Sequence, residues 1–310
     1  MIALEAVSKV FRSAGGRKTV TALADFSLTI APGEVLGVAG PNGAGKSTMI
    51  SLILGYLEPT SGTVRLQGLP PRAYVQSRGV SYLTEVVALP PRWTVESTLR
   101  RLLTLAGAGF AQPAERIDHA IAAAGLEEHR RKQVRQLSKG TLQRLGLAQS
   151  LLDDSDVVIL DEPTHGLDPV WTQRFRDVVR DLRRPGRAVV VASHNLDELE
   201  RIADRVAILH QGRLQRVVVP GQAREGAGVW RVVLAEGAPE GALLAAFPDA
   251  VSVEGRAREY RVRGDLDAVN AGLARLLVTG ARVAGFFAEQ SRLEREFHAA
   301  VGEDPEPPAP

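Results

Sequence analysis

The chain has 310 residues, 45% hydrophobic and 24% charged, with 38 basic against 36 acidic side chains and a formal charge of +2. That length suits two soluble domains, the small net charge argues against nucleic acid as the main partner, and no cysteine is present for disulfides, thiolate metal sites or a thiol nucleophile. The start MIALEAVSKVF lacks the basic-then-apolar order of a signal peptide, and the sequence holds no run of about 18 or more apolar residues of the kind that crosses a bilayer.

Residues 2 to 38 read as short β-branched strands, LEAVSKVF and VTALADFSLTI among them, broken by the loop RSAGGRK. GEVLGVAG follows as a strand ending in glycine, and GKSTMISLILGYL as a helix with Met49, Leu52, Ile53 and Leu57 at helical spacing. From roughly Glu96 to Ser155 the pattern is helical, in TVESTLRRLLTLAG, AERIDHAIAAAGL and QLSKGTLQRLGLAQSLL. Two apolar runs, DVVIL and RAVVVAS, suit parallel strands covered on both faces. ELERIADRVAILHQGRL then gives a helix, a strand and a turn.

This is an α/β nucleotide-binding plan over 1–219, with a helical subdomain at about 86–155. Composition changes after VVVPGQAREGAG, which places a boundary near residue 220. Residues 220–302 read as a small α+β accessory domain: strand 229–235, helix 239–247, strand 250–254, strand 258–263, helix 266–278, strand 281–287 and a last helix from Arg292. The order β-α-β-β-α-β is that of a ferredoxin-like unit. The tail 303–310, rich in proline and acid, reads as disordered.

GPNGAGKST, residues 40–48, satisfies G-x-x-x-x-G-K-[ST] between an apolar strand and a helix. Glycines let the backbone N–H groups turn toward phosphate, the helix start favours an anion, Lys46 reaches the β- and γ-phosphates and Ser47 can ligate Mg²⁺. The bland alternative is a tight glycine turn with a surface lysine. In VVILDEPTHGLDP, Asp161 and Glu162 end a buried strand, where open α/β sheets bind ligands. Asp161 would hold Mg²⁺ and Glu162 would polarise the attacking water, against the alternative of a turn with two solvated carboxylates. VVVASHNLDE ends a third strand in Ser193 and His194. Taken alone that histidine reads as a structural or surface residue; beside the other two motifs it is a candidate γ-phosphate sensor.

Over about its first 215 residues the chain resembles the ATP-binding cassette (ABC) family, in the order phosphate loop, YLTE (82–85), LSKG (137–140), LDE (160–162), GLD (166–168) and SH (193–194). The resemblance implies a P-loop ABC-type ATPase that works as a head-to-tail dimer of two copies, or of one copy with a paralogous ATPase. In such a dimer Ser138 and the N–H of Gly140 close over ATP held by the opposite subunit. It implies that Phe11 stacks on adenine beside Val20, the alternative being a core residue. Thr48, with Asn42, Gly43 and Gly45 of the loop, would contact phosphates. Glu85 stands where the family has a glutamine that touches Mg²⁺ and senses the membrane partner, and Asp168 lies in the loop that communicates between the two sites.

Lys139 and Thr141 replace the usual glycine and glutamine; Lys139 either leans toward the opposite triphosphate or is solvated. His165 has no functional reading from sequence. The variants YLTE, LSKG and THGLDP, with a C-terminal appendage ending SRLEREFHAAV, look like the ABC-2 type export branch. That branch implies ATP and Mg²⁺ as cofactors, a separate transmembrane permease, a location on the cytoplasmic face of the membrane, and a cargo among drugs, antibiotics, lipids, polysaccharides or metal-related compounds. The alternative is a soluble ABC-type ATPase in regulation or repair.

Overall fold

Strands β1 (Ile2–Arg12) and β2 (Thr19–Ile30) form an antiparallel pair. Ile2, Leu4 and Val7 face inward, but the alternation breaks at Ala6 and Asp25, whose φ angles are +48° and +49°. Register shifts between Leu4 and Val10 mark β-bulges there. The expectation of several short strands is corrected accordingly: bulges interrupt the period-2 pattern without ending either strand. The computed structural model describes residues 1–12, 19–107, 112–220, 228–239, 241–253, 256–288 and 292–302. Most of the loop RSAGGRK and all of the tail 303–310 lie outside these residues.

Strand β3 (Val35–Ala39) is buried at every position and runs into the glycine loop, from which α1 (Lys46–Ile53) starts. Met49, Ile50, Leu52 and Ile53 seat α1 in the core; Leu57, expected on the same helix, lies past its end and packs partly buried against that core. Strand β4 (Ser61–Leu66) returns to β1, giving a three-stranded sheet in the order β2-β1-β4. Helix α2 (Pro71–Arg78) buries Tyr74, and β5 (Ser81–Leu83) follows.

Helices α3 (Val95–Leu105), α4 (Pro113–Ala123) and α5 (Lys139–Ser150) then build a core of their own from Leu99, Leu103, Ile117, Ile121 and Leu145. Thr94 starts α3 with a reciprocal capping box to Ser97, an arrangement worth about 1 kcal/mol. After this insertion come β6 (Val157–Asp161), α6 (Pro169–Leu182), β7 (Ala188–Ala192), α7 (Leu196–Ile202), β8 (Arg205–His210) and β9 (Arg213–Val218).

The main sheet has the order β5-β6-β7-β3-β8-β9, parallel except for β9, which runs antiparallel on β8. Every residue of β6 and β7 is buried, which is why those segments read as unbroken apolar runs. The parallel arrangement brings the C-terminal ends of β3, β5, β6 and β7 to one edge. There the chain places the glycine loop, Glu85, Asp161–Glu162 and Ser193–His194.

Contacts divide the chain into Met1–Pro220 and Gly221–Pro310. In the second unit β10 (Gly228–Leu234), α8 (Ala242–Ala246), β11 (Val251–Ser252), β12 (Glu259–Gly264), α9 (Leu266–Val278), β13 (Val283–Ala288) and α10 (Arg292–Val301) follow in order. The sheet order β11-β12-β10-β13, antiparallel at each pairing, is that of a ferredoxin-like unit. Val232, Val262, Leu243, Phe247 and Leu276 fill its core. Trp230 stacks on Phe286 at 5.0 Å and donates its indole N–H to Gly264 O at 3.0 Å.

Candidate functional site

The loop from β3 to α1 wraps the start of the helix, where backbone N–H groups have no partner within the helix. Gly45 holds φ +110°, and a Cβ there would come within 2.7 Å of Ala22 O. An alanine would therefore meet both strain and a backbone clash. Lys46 is 8% exposed, and its ammonium donates to Gly40 O at 2.6 Å. Ser47 and Thr48 occupy the next positions of α1, and all three line a cavity of about 630 Å³, within the range of small-molecule sites.

The opposite wall comes from β5, β6 and β7. Asp161 is 5% exposed. Burial, with Glu162 and then Glu85 nearby, pushes its carboxyl up to about 6, and Lys46 opposes the rise. Tyr82 on β5 is pushed up to about 12, first by burial and then by Asp161, Tyr56 and Glu85. This wall is thus an acidic pocket that one lysine does not neutralise, an environment that favours a bound cation.

Glu162 has φ +47°, a left-handed conformation whose strain in a non-glycine residue gathers at functional sites. Its carboxylate accepts from the His194 backbone N–H at 3.1 Å and from the Ser193 hydroxyl at 3.3 Å, and lies 2.8 Å from His194 Nδ1. A carboxylate has no hydrogen to give, so Nδ1 is the donor. Its backbone is held as firmly: the N–H donates to Ala192 O at 2.8 Å, and the carbonyl accepts from the Gln143 amide at 3.2 Å and the His165 N–H at 3.1 Å. The β7 end holds the side chain and α5 the carbonyl of this acid.

Phe11 and Val20 pair directly across β1 and β2 and both line the cavity, 40% and 63% exposed. Phe11 is therefore a surface ring over the cavity rather than a core residue, with Lys9 Nζ 5.3 Å from its centroid. The cavity also gathers Asn42, Gly43, Gly45, Glu85, Asp161, Glu162 and His194. Ser138, Gly140 and Asp168 lie outside it. Ser138 caps α5 by accepting from Thr141 N–H at 3.2 Å, and Asp168 caps α6 by accepting from Trp171 N–H at 2.9 Å. The resemblance assigns the first two to ATP on an opposite subunit.

Two residues of the site went unread from sequence. Gln143 is buried beneath Glu162. Its signal was a Gln-Arg pair inside the apolar stretch LQRLGLA, since buried polar side chains must find partners. His165 lines the cavity, and Lys139, read as either solvated or reaching toward an opposite triphosphate, is exposed, with its ammonium 2.6 Å from His165 Nε2.

The donor set suits a nucleotide with Mg²⁺. The Ser47 hydroxyl and the Asp161 carboxylate are hard oxygens of the kind Mg²⁺ takes together with phosphate, and Glu162 and Glu85 add negative charge beside Asp161. Fold and site together define the class: a P-loop ATP-binding cassette.

Comparison with known proteins agrees. Residues 23–165 match the family model described as ABC transporter. The ABC transporter ATP-binding protein NatA of Bacillus subtilis is 33% identical over 218 residues, 69% of this chain and 87% of that protein. An uncharacterized ABC transporter ATP-binding protein of Nostoc sp. (strain PCC 7120) is 40% identical over 201 residues, 63% of this chain and 59% of that one. Among solved structures, the dimeric MJ0796, a bacterial ABC transporter cassette, aligns with TM-score 0.65 and 26% identity over 71% of this chain and 98% of that one. The chain belongs to the ABC transporter family. It spans under two thirds of the length of several curated relatives, 59%, 64% and 60% in three of them, and the relatives include proteins named for export and for import.

Proposed function

We propose that this chain hydrolyses ATP as the energy-coupling subunit of a membrane transporter. The observation that carries the reading is the meeting, in one cavity at the end of the parallel sheet, of Lys46 with the strained Glu162, whose carboxylate is held by Ser193 and His194. Phe11 and Val20 would receive the adenine, and the loop amides with Lys46 and Thr48 the phosphates. Ser47 and Asp161 would hold Mg²⁺, with Glu85 beside them; the bound ion would neutralise charge on the transferring phosphoryl group. Glu162 polarises the attacking water and takes its proton. His194 holds that carboxylate and stands near enough to the cavity to sense the γ-phosphate.

A second copy, or a related ATPase, would complete each site with its Ser138 and Gly140, so that closure of the pair drives a separate transmembrane subunit from the cytoplasmic face of the membrane. No helix among the described residues is long and apolar enough to cross a membrane, so this scheme assigns the span to that partner. The variants YLTE, LSKG and THGLDP support an ABC-2 type exporter. The cassette would be residues 1–219, with 220–302 as an accessory domain that supports the dimer.

Glu162→Gln tests the reading. The expected result is a dimer stabilised by ATP with turnover reduced about 100-fold or more, the scale of losing a general base. Normal turnover refutes the role of Glu162. Purification from native membranes in mild detergent should bring a multi-span protein in near-equal amount; recovery with soluble partners alone refutes the transporter assignment.

A further inference from the structure

Lys139 and His165, the two departures that the proposed function leaves unused, meet each other. Lys139 is the first residue of α5, where a cation opposes the helix dipole, so helix stability does not account for it. Its stem crosses Gly166. At that residue φ is +77°, and a Cβ would lie 3.3 to 3.4 Å from Cγ, Cδ and Cε of Lys139. The ammonium ends 2.6 Å from His165 Nε2. An ammonium has hydrogens to give and no lone pair, so Nε2 accepts and the neutral ring carries its hydrogen on Nδ1.

Neighbouring contacts run the same way. A Cβ at Gly140 would come within 2.8 Å of Gly166 O, so the start of α5 and the loop after Glu162 touch through their backbones. One turn further along α5, the Gln143 amide donates to Glu162 O at 3.2 Å and Pro163 O at 3.3 Å. His165 closes the loop with its N–H on Glu162 O at 3.1 Å and lines the phosphate cavity.

We propose that Lys139 and His165 are positioning residues: their bond locks the first turn of α5 to the 162–168 segment, so that the signature end of the helix and the Glu162 backbone move as one body. This rests on the reading of Glu162 as base and of the α5 start as a phosphate contact. It adds a link within one chain, through which engagement of α5 by a second subunit's nucleotide adjusts the base that serves the chain's own nucleotide. Both side chains are exposed at the surface, so substituting them spares the core.

The test is a double-mutant cycle in the full chain with Lys139→Met, His165→Leu and the pair, read two ways. In hydrogen exchange, His165→Leu should speed the amides of Thr141 and Leu142, on a helix the substitution does not belong to, by about 5-fold. Lys139→Met should do the same, and the pair no more than either alone, as coupled residues behave. In steady-state ATP hydrolysis, kcat should fall about 5-fold in each single variant and no further in the pair, with KM unchanged. Lys139→Arg, which keeps a donor, should restore protection to within about 2-fold of the parent chain.

Exchange changes confined to 163–167, or multiplicative losses in the pair, overturn the proposal. A parent chain without ATP hydrolysis would overturn the proposed function instead, and the exchange arm would still decide whether the lock exists.

Discussion

Asp161→Asn should stabilise the nucleotide-free, metal-free chain while removing its use of Mg²⁺-ATP. Burial first, then Glu162 and Glu85, lift the Asp161 carboxyl from 3.8 to about 6. A carboxyl raised on folding contributes stability that is complete below the unfolded value and is lost as pH rises through about 6. Each pKa unit is worth about 1.4 kcal/mol, so at pH 7.5 the ionised side chain costs the fold on the order of 3 kcal/mol. At pH 5 the same linkage gives about half of that. Asparagine does not titrate, so the advantage of the variant over the parent should widen by about 1 to 1.5 kcal/mol between pH 5 and pH 7.5.

The assay is hydrogen exchange in EDTA at the amides of β6 and β7, which reports opening of this unit apart from the C-terminal one. An advantage that stays constant across that range, or a variant less stable than the parent at pH 7.5, refutes the reasoning. Mg²⁺ with ATP should restore stability to the parent and not to the variant.

Other substitutions probe the remaining walls of the site and its supports. Lys46→Ala should weaken ATP binding at least 10-fold by equilibrium titration, because no other lysine lines the cavity among the described residues; unchanged affinity would show that the loop amides suffice. Glu85→Gln should keep ATP hydrolysis within about 3-fold, since it removes one of the charges raising Asp161 and leaves an oxygen that can still face the metal; a dead variant would show that the carboxylate itself is required. Gly125→Ala should destabilise the helical subdomain by about 2 to 4 kcal/mol in hydrogen exchange. Its φ is +55°, and a Cβ there would lie 2.2 Å from the Trp171 ring; a loss below about 1 kcal/mol would mean that the ring moves freely.

Sequence periodicity resolved elements whose two faces see different surroundings, or whose strands are wholly buried. The runs that became β6 and β7 have apolar neighbours on both sides, and α3 turns Leu99 and Leu103 to one core. Helix α2 escaped notice because Tyr74 is its one buried side chain, which leaves no repeat to detect. Helix α6 carried the signal unread: Phe175, Val178, Val179 and Leu182 fall at helical spacing and are buried. The long β1 and β2 looked short because bulges at Ala6 and Asp25 shift which residues face inward.

The site divides along a different line. Residues whose chemistry depends on a local turn, such as the glycine loop or a carboxylate at a strand end, are legible because a few consecutive residues build the turn. Gln143 and His165 act across sequence gaps of 19 and 26 residues, toward Glu162 and Lys139 respectively, and no local pattern encodes such a meeting. Lys139 shows the consequence. At the start of a helix, a lysine reads as either solvated or reaching for anionic phosphate, because the partner that turns it back is a neutral ring on another element. A departure from a family motif is thus better judged by the second departure it touches than by the motif it interrupts, and in this chain Lys139 and His165 stand or fall as a pair.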